Sequence, residues 1–291
     1  MDADAQILSL QPPAAPLDRR SLLVKTALTA GFCAAVEPVW AQVVQTPADG
    51  LVAGEVKVSS GGVDLPAYQA MPATGGPFPL VVVMSEIFGV HEHIKDLCRR
   101  FARAGHYAVA TDYFARAGDA SSVTDTQKLM SEIVNKTPDG QVAGDVDATL
   151  AFAKNTGKAD MARIAVVGFC WGGRQAWLNA ARHPDFKAGV AWYGHLGGQT
   201  SDMKPKNPLD IAATLTVPVL GLYGGKDQGI PVEQVEAMRT ALEAAGRPSE
   251  IVVYPDAPHG FHADYRPSYR KADAEDSWSK ALAWLKEHRA G

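Results

Sequence analysis

Residues 164–173 constrain the fold more than any other stretch of the chain. The apolar, mostly β-branched run Ile164 to Val167 stops at Gly168, and a helix-like segment carrying Trp177, Leu178 and Ala181 on one face opens at Gly172. Cys170 therefore sits on a sharp strand-to-helix turn of the pattern G-x-C-x-G, a nucleophile elbow with cysteine where serine is usual. The glycines let strand and helix pack closely and remove a side-chain clash from the turn. The turn pushes one sulfur out above the sheet, and the helix N-terminus behind it favours negative charge and hence thiolate. The alternative is a buried cysteine in a glycine-rich turn.

The rest of the chain reads as alternating strands and helices. A β-hairpin is expected from Glu55–Ser59, Gly61-Gly62 and Val63–Met71. Residues 79–85 form a continuous apolar run, as a buried parallel strand does. After Glu86-Ile87-Phe88-Gly89, the residues Ile94, Leu97, Cys98, Phe101 and Ala102 share one helical face, which makes Cys98 a core residue. Strands are expected at 107–111, 163–168, 188–193, 217–223 and 251–254, and helices at 123–135, 140–154, 173–182, 231–245 and 269–288. Residues 194–215 read as loop. This pattern predicts a mostly parallel sheet with helices on both faces and the antiparallel hairpin at one edge.

The N-terminus has a separate logic. Arg19-Arg20 is followed by Leu22, Leu23, Val24, a nearby Lys25 and a modest apolar run that ends at Val39-Trp40-Ala41-Gln42. This resembles a twin-arginine signal peptide over residues 1–41, cut after Ala41, with a single catalytic domain over 42–291. It predicts use of the twin-arginine export machinery and a periplasmic enzyme, or a cytoplasmic one where the signal is unused. Lys25 and Glu37 break the apolar run, so stable membrane insertion is not expected. The chain has 291 residues, three cysteines and a net charge of −4. A disulfide framework and a nucleic-acid partner are both poor fits.

In such a sheet, ligands lie outside the carboxyl ends of the strands. Glu86, Cys170, Asp227 and His259 all fall there, and Cys170, Asp227 and His259 follow the chain order nucleophile, acid, histidine. His259 would take the thiol proton and Asp227 would hold the imidazole. Position predicts the backbone N–H groups of Trp171 and Ile87 as oxyanion donors. His91-Glu92-His93 and His259…His262 lack a completing ligand set, so no metal is expected, and no organic cofactor.

Together, Ser85-Glu86-Ile87-Phe88-Gly89, Asp112-Tyr113-Phe114-Ala115-Arg116, Gly168-Phe169-Cys170-Trp171-Gly172-Gly173, Gly225-Lys226-Asp227 and Pro258-His259-Gly260-Phe261 resemble the dienelactone hydrolase family of carboxymethylenebutenolidases. The resemblance implies an α/β-hydrolase fold and a Cys170–His259–Asp227 triad acting on a small unsaturated lactone that carries a carboxylate. It implies that Glu86 lies near the resting thiol and helps deliver thiolate. It also implies arginines that hold the substrate carboxylate. Arg116 matches the first, while the second position here is Ala263, for which Arg266 is the candidate replacement. Phe88 is expected to line the substrate site. The alternatives are a general carboxylesterase on this scaffold, or an exported non-catalytic or thiol-redox protein. A monomer or small homo-oligomer is expected.

Overall fold

The computed structural model describes residues 45–291, so the signal-peptide reading of residues 1–41, with Arg19, Arg20 and Cys33, lies outside the described residues. Among the described residues eight strands form one sheet in the order β1-β2-β4-β3-β5-β6-β7-β8. They are β1 (Leu51–Ser60), β2 (Val63–Pro72), β3 (Phe78–Met84), β4 (Tyr107–Thr111), β5 (Ala159–Phe169), β6 (Ala188–Trp192), β7 (Val219–Gly224) and β8 (Glu250–Tyr254). β1 pairs with β2 and β2 with β4 in antiparallel fashion; β4, β3, β5, β6, β7 and β8 run parallel. This is the predicted α/β-hydrolase arrangement, with the antiparallel hairpin at one edge. Gly61 and Gly62 close that hairpin at φ 55° and 79°, the left-handed pair a two-residue turn requires. The hairpin is four residues longer at its start than the alternation suggests, because Leu51–Gly54 pair with Gln69–Pro72 without a regular polar face.

The helices are α1 (Glu92–Arg103), α2 (Thr126–Glu132), α3 (Asp139–Asn155), α4 (Trp171–Arg182), α5 (Pro208–Ile211), α6 (Val232–Ala244) and α7 (Lys271–Glu287). α2 is shorter than its periodicity implies: Asp125 caps its start by accepting from the Lys128 N–H, and the chain tightens into a 3-10 turn at residues 134–136. Within the stretch 194–215, whose composition predicts loop, α5 is a single turn set by a capping box in which the Asn207 and Asp210 side chains each hold the other's backbone. Leu80 to Met84 of β3 and Ile164 to Val167 of β5 are buried throughout, as continuous apolar runs in a parallel sheet should be. Cys98 is fully buried in α1, as expected.

The elbow between β5 and α4 is held by close backbone contact. A Cβ on Gly168 would lie 1.9 Å from the Gly172 carbonyl oxygen, and one on Gly172 would lie 2.2 Å from that of Met84. No side chain fits at either position, so strand, helix and neighbouring strand approach as only glycine allows. Below the elbow the Phe169 ring stacks on Trp192 at 4.6 Å, and beside it Trp171 packs on Phe114 at 4.6 Å.

Candidate active site

Cys170 is the residue before α4, at φ 56°, ψ −115°. A left-handed backbone at a non-glycine residue is strain that the surrounding packing must hold. Its N–H donates to the Trp192 carbonyl at 3.0 Å, and its carbonyl accepts from the Arg174 N–H at 3.2 Å. The residue is 1% exposed.

Asp227 follows the Gly224-Gly225 end of β7. Its Oδ1 accepts from the N–H groups of Gly229 and Ile230 at 2.9 and 3.1 Å, and its Oδ2 accepts from Nδ1 of His259 at 2.7 Å. One carboxylate oxygen is thus fixed by backbone and the other sets the imidazole tautomer. Nε2 of His259 has no hydrogen-bond partner of good geometry among the described residues, and Cys170 is its electrostatic neighbour. Burial alone would lower the His259 pKa. Asp227 and Cys170 overturn that and push it up to about 10. His195 lies behind the pair, and its pKa is brought down to about 4 by burial and by His259.

Glu86 sits in the loop after β3 and is 1% exposed. Its Oε2 accepts from the Tyr265 hydroxyl at 2.5 Å and lies 3.6 Å from Nε2 of His91; Oε1 has no partner among the described residues. Burial would raise its pKa, but the charge of Arg266 and the contact with His91 outweigh burial and hold the carboxyl well below the usual range. The neighbouring Ile87 is fully buried. Among the described residues neither the Ile87 N–H nor the Trp171 N–H, the first of α4, is engaged by an acceptor.

Arg266 reaches this centre through the fold of its loop. Ala263 N–H donates to Gly260 O, Arg266 N–H to Ala263 O, and Arg270 N–H to Phe261 O, so successive turns double the chain back over His259. The guanidinium then lies 5.4 Å from the Phe88 ring and 5.6 Å from the Tyr265 ring, and it covers Gly260 so closely that a Cβ there would be 2.8 Å from Nη1. Asp264 anchors the loop to α1 by accepting from Nδ1 of His93 at 3.0 Å and from Nη2 of Arg100 at 2.5 Å. Ala263, at the family's arginine position, is buried.

The structure thus brings Cys170, Asp227, His259, Glu86, Ile87, Trp171, Phe88 and Arg266 to one site. Arg116 is elsewhere engaged: Nη1 donates to Asp145 Oδ2 at 2.6 Å and Nη2 to the Ser60 carbonyl at 2.8 Å, tying the hairpin turn to α3. A cleft of about 430 Å³ near Glu55, Lys95, Asp112 and Gly118 lies beyond the Glu86–Gly89 loop and includes none of the residues gathered around Cys170. No periodicity or motif in the sequence marks Tyr265. Among the described residues no group of three or more His, Cys, Asp or Glu side chains is placed to hold a metal ion.

The dienelactone hydrolase family profile matches residues 65–289. The chain belongs to the dienelactone hydrolase family. A relative from Methylorubrum extorquens, named among the carboxymethylenebutenolidases, is 54% identical over 288 residues, covering 99% of this chain and 98% of its own. A relative from a Bradyrhizobium species, named for 2-oxo-3-(5-oxofuran-2-ylidene)propanoate lactonase activity, is 32% identical over 237 residues, covering 81% and 94%. A crystal structure of a family protein from Klebsiella pneumoniae superimposes with a TM-score of 0.80 at 50% identity, covering 81% of this chain and 99% of that one. This dienelactone hydrolase family member is a hydrolase of lactone or ester bonds.

Proposed function

We infer that the protein opens a small, unsaturated, carboxylate-bearing lactone through a thioester on Cys170. The observation that carries this is the elbow cysteine facing a histidine whose far nitrogen is held by a buried carboxylate at 2.7 Å. The sulfur attacks the acyl carbon and its proton passes to Nε2 of His259. The N–H groups of Ile87 and Trp171 receive the oxyanion. Collapse breaks the acyl C–O bond, and His259 returns the proton to the leaving oxygen. Water then attacks the thioester with His259 as base, releasing the acid and restoring the thiol.

Arg266 is the cation beside this centre, and a substrate carboxylate docking there competes for the charge that now holds Glu86 ionised. With that charge shared, Glu86 becomes the better base and assists the departure of the thiol proton that Nε2 of His259 receives, as its expected role of helping to deliver thiolate requires. The lactone for which the Bradyrhizobium relative is named is of this chemical kind.

The test is steady-state hydrolysis of a dienelactone by the full chain and by Cys170→Ala. Turnover is expected in the first and a loss of at least about 10³-fold in the second. Equal rates in the two proteins would remove Cys170 as nucleophile.

A further inference from the structure

Tyr193 leaves β6 at φ 37°, again in the left-handed region that a tyrosine seldom adopts. Its N–H donates to the Leu222 carbonyl at 2.8 Å, and Gly194 is so closely packed that a Cβ on it would lie 2.3 Å from the Gly173 carbonyl carbon. The backbone is therefore locked against the elbow. The side chain is fully buried, with its ring 5.0 Å from the His259 ring and 5.5 Å, edge-on, from Phe261.

Its hydroxyl has no hydrogen-bond partner among the described residues. The Tyr113 hydroxyl is likewise unpartnered, but several other buried tyrosines are satisfied. Tyr107 donates to Gln69, Tyr223 accepts from Trp177, Tyr254 donates to Asp276 and Tyr265 donates to Glu86. A phenylalanine would fill the same space without stranding a polar atom, and Tyr193 carries that atom on a ring packed against the catalytic histidine candidate. Its electrostatic surroundings are Glu86, Arg266, Tyr265 and Cys170. The hydroxyl thus shares its surroundings with both Arg266 and the thiol. Burial, reinforced by Glu86, raises its pKa well above that of an ordinary phenol, which keeps it an O–H donor.

We propose that Tyr193 is a substrate-positioning residue whose hydroxyl donates a hydrogen bond to the carboxylate of a substrate docked beside Arg266. A guanidinium and a neutral hydroxyl then receive the two carboxylate oxygens, while the backbone donors at Ile87 and Trp171 serve the acyl oxygen. This assignment rests on the reading of Cys170 as nucleophile, and a neutral ester would make no use of it.

Tyr193→Phe removes only the oxygen. The expected result is a KM for the carboxylate-bearing dienelactone raised about 10-fold, equivalent to about 1.4 kcal/mol. kcat should change less than about twofold and the kinetics on a neutral ester should be unaltered. A second readout does not need turnover: protection of Cys170 from iodoacetamide, followed by mass spectrometry. Sorbate, a small unsaturated carboxylate, should need about 10-fold higher concentration to protect Tyr193→Phe than the parent protein, while its neutral amide, sorbamide, protects both alike. Equal losses on anionic and neutral ligands, or none on either, would overturn the proposal. Failure of the parent protein to hydrolyse any ester would instead reject the Cys170 reading, and the protection series would still decide Tyr193.

Discussion

Arg266→Met tests the electrostatics of the site most directly. Glu86 is a buried carboxylate with one oxygen unpartnered, and Arg266 is the largest influence opposing its burial. Two opposite unit charges a few ångströms apart in a medium of effective dielectric about 20 attract by about 3 kcal/mol. Arg266 is half-buried and partly screened by water, which reduces this to about 2 kcal/mol. For a chain of this size that loss lowers the Tm by roughly 4–8 °C. The pH dependence gives the sharper signature. In the parent protein the Glu86 carboxyl titrates below its ordinary 4.5, so its contribution is present above that pH and is lost on acidification. In Arg266→Met only the histidines still oppose burial and Glu86 titrates closer to 4.5, so the variant carries a deficit at pH 8 that fades once acid protonates the carboxyl. Urea denaturation at pH 8, 5 and 3, followed by tryptophan fluorescence, should show a difference of about 2 kcal/mol at the two higher pH values that shrinks at the lowest. Adding Glu86→Gln should recover most of the loss at pH 8. A deficit that is constant with pH, with the two substitutions additive, would refute the argument.

Two further substitutions separate the remaining roles. Asp227→Asn should lower kcat by on the order of 10³-fold or more, because Nδ1 of His259 loses its carboxylate. With the His259 pKa raised to about 10, its share of stability is fully present below about 6.5 and lost as pH climbs through 10, so the stability deficit of Asp227→Asn should be largest near pH 6 and shrink towards pH 10 in denaturant titrations. Arg116→Ala should cost about 1–2 kcal/mol of stability, since Asp145 is buried and would keep only the Ser60 hydroxyl, 2.6 Å away. KM should move equally for anionic and neutral substrates; a selective rise for the anionic one would show that this guanidinium leaves Asp145 for the substrate.

The residues that were legible in the sequence are those whose position is dictated by backbone. Gly168 and Gly172 announce the elbow because no Cβ fits there, and Asp227 and His259 follow because parallel strands deliver their C-terminal loops to one edge. What was not legible depends on contacts between distant loops. The reach of Arg266 comes from consecutive tight turns over residues 260–270, which have no periodicity, and from Asp264 being clamped by two residues of α1. Tyr265 finds Glu86 across 179 residues of sequence. Arg116 lies at the expected motif position, yet its guanidinium is captured by Asp145 from α3, a charge pairing that no local pattern reports.

These contacts couple selectivity to activation. In the resting site Arg266 stabilises the ionised form of Glu86, and a carboxylate so stabilised is a weak base towards a thiol. A carboxylate ligand draws on the same guanidinium and so raises the basicity of Glu86 as it binds. A neutral ester leaves Arg266 engaged with Glu86 and gains neither the docking contact nor the stronger base. Discrimination against neutral esters should therefore exceed what one lost ion pair would give in binding alone, with part of the difference falling in kcat. Because Tyr265 already occupies Oε2, and the Tyr193 hydroxyl lies in the same group without a partner, the donors needed for the exchange are present before the ligand arrives.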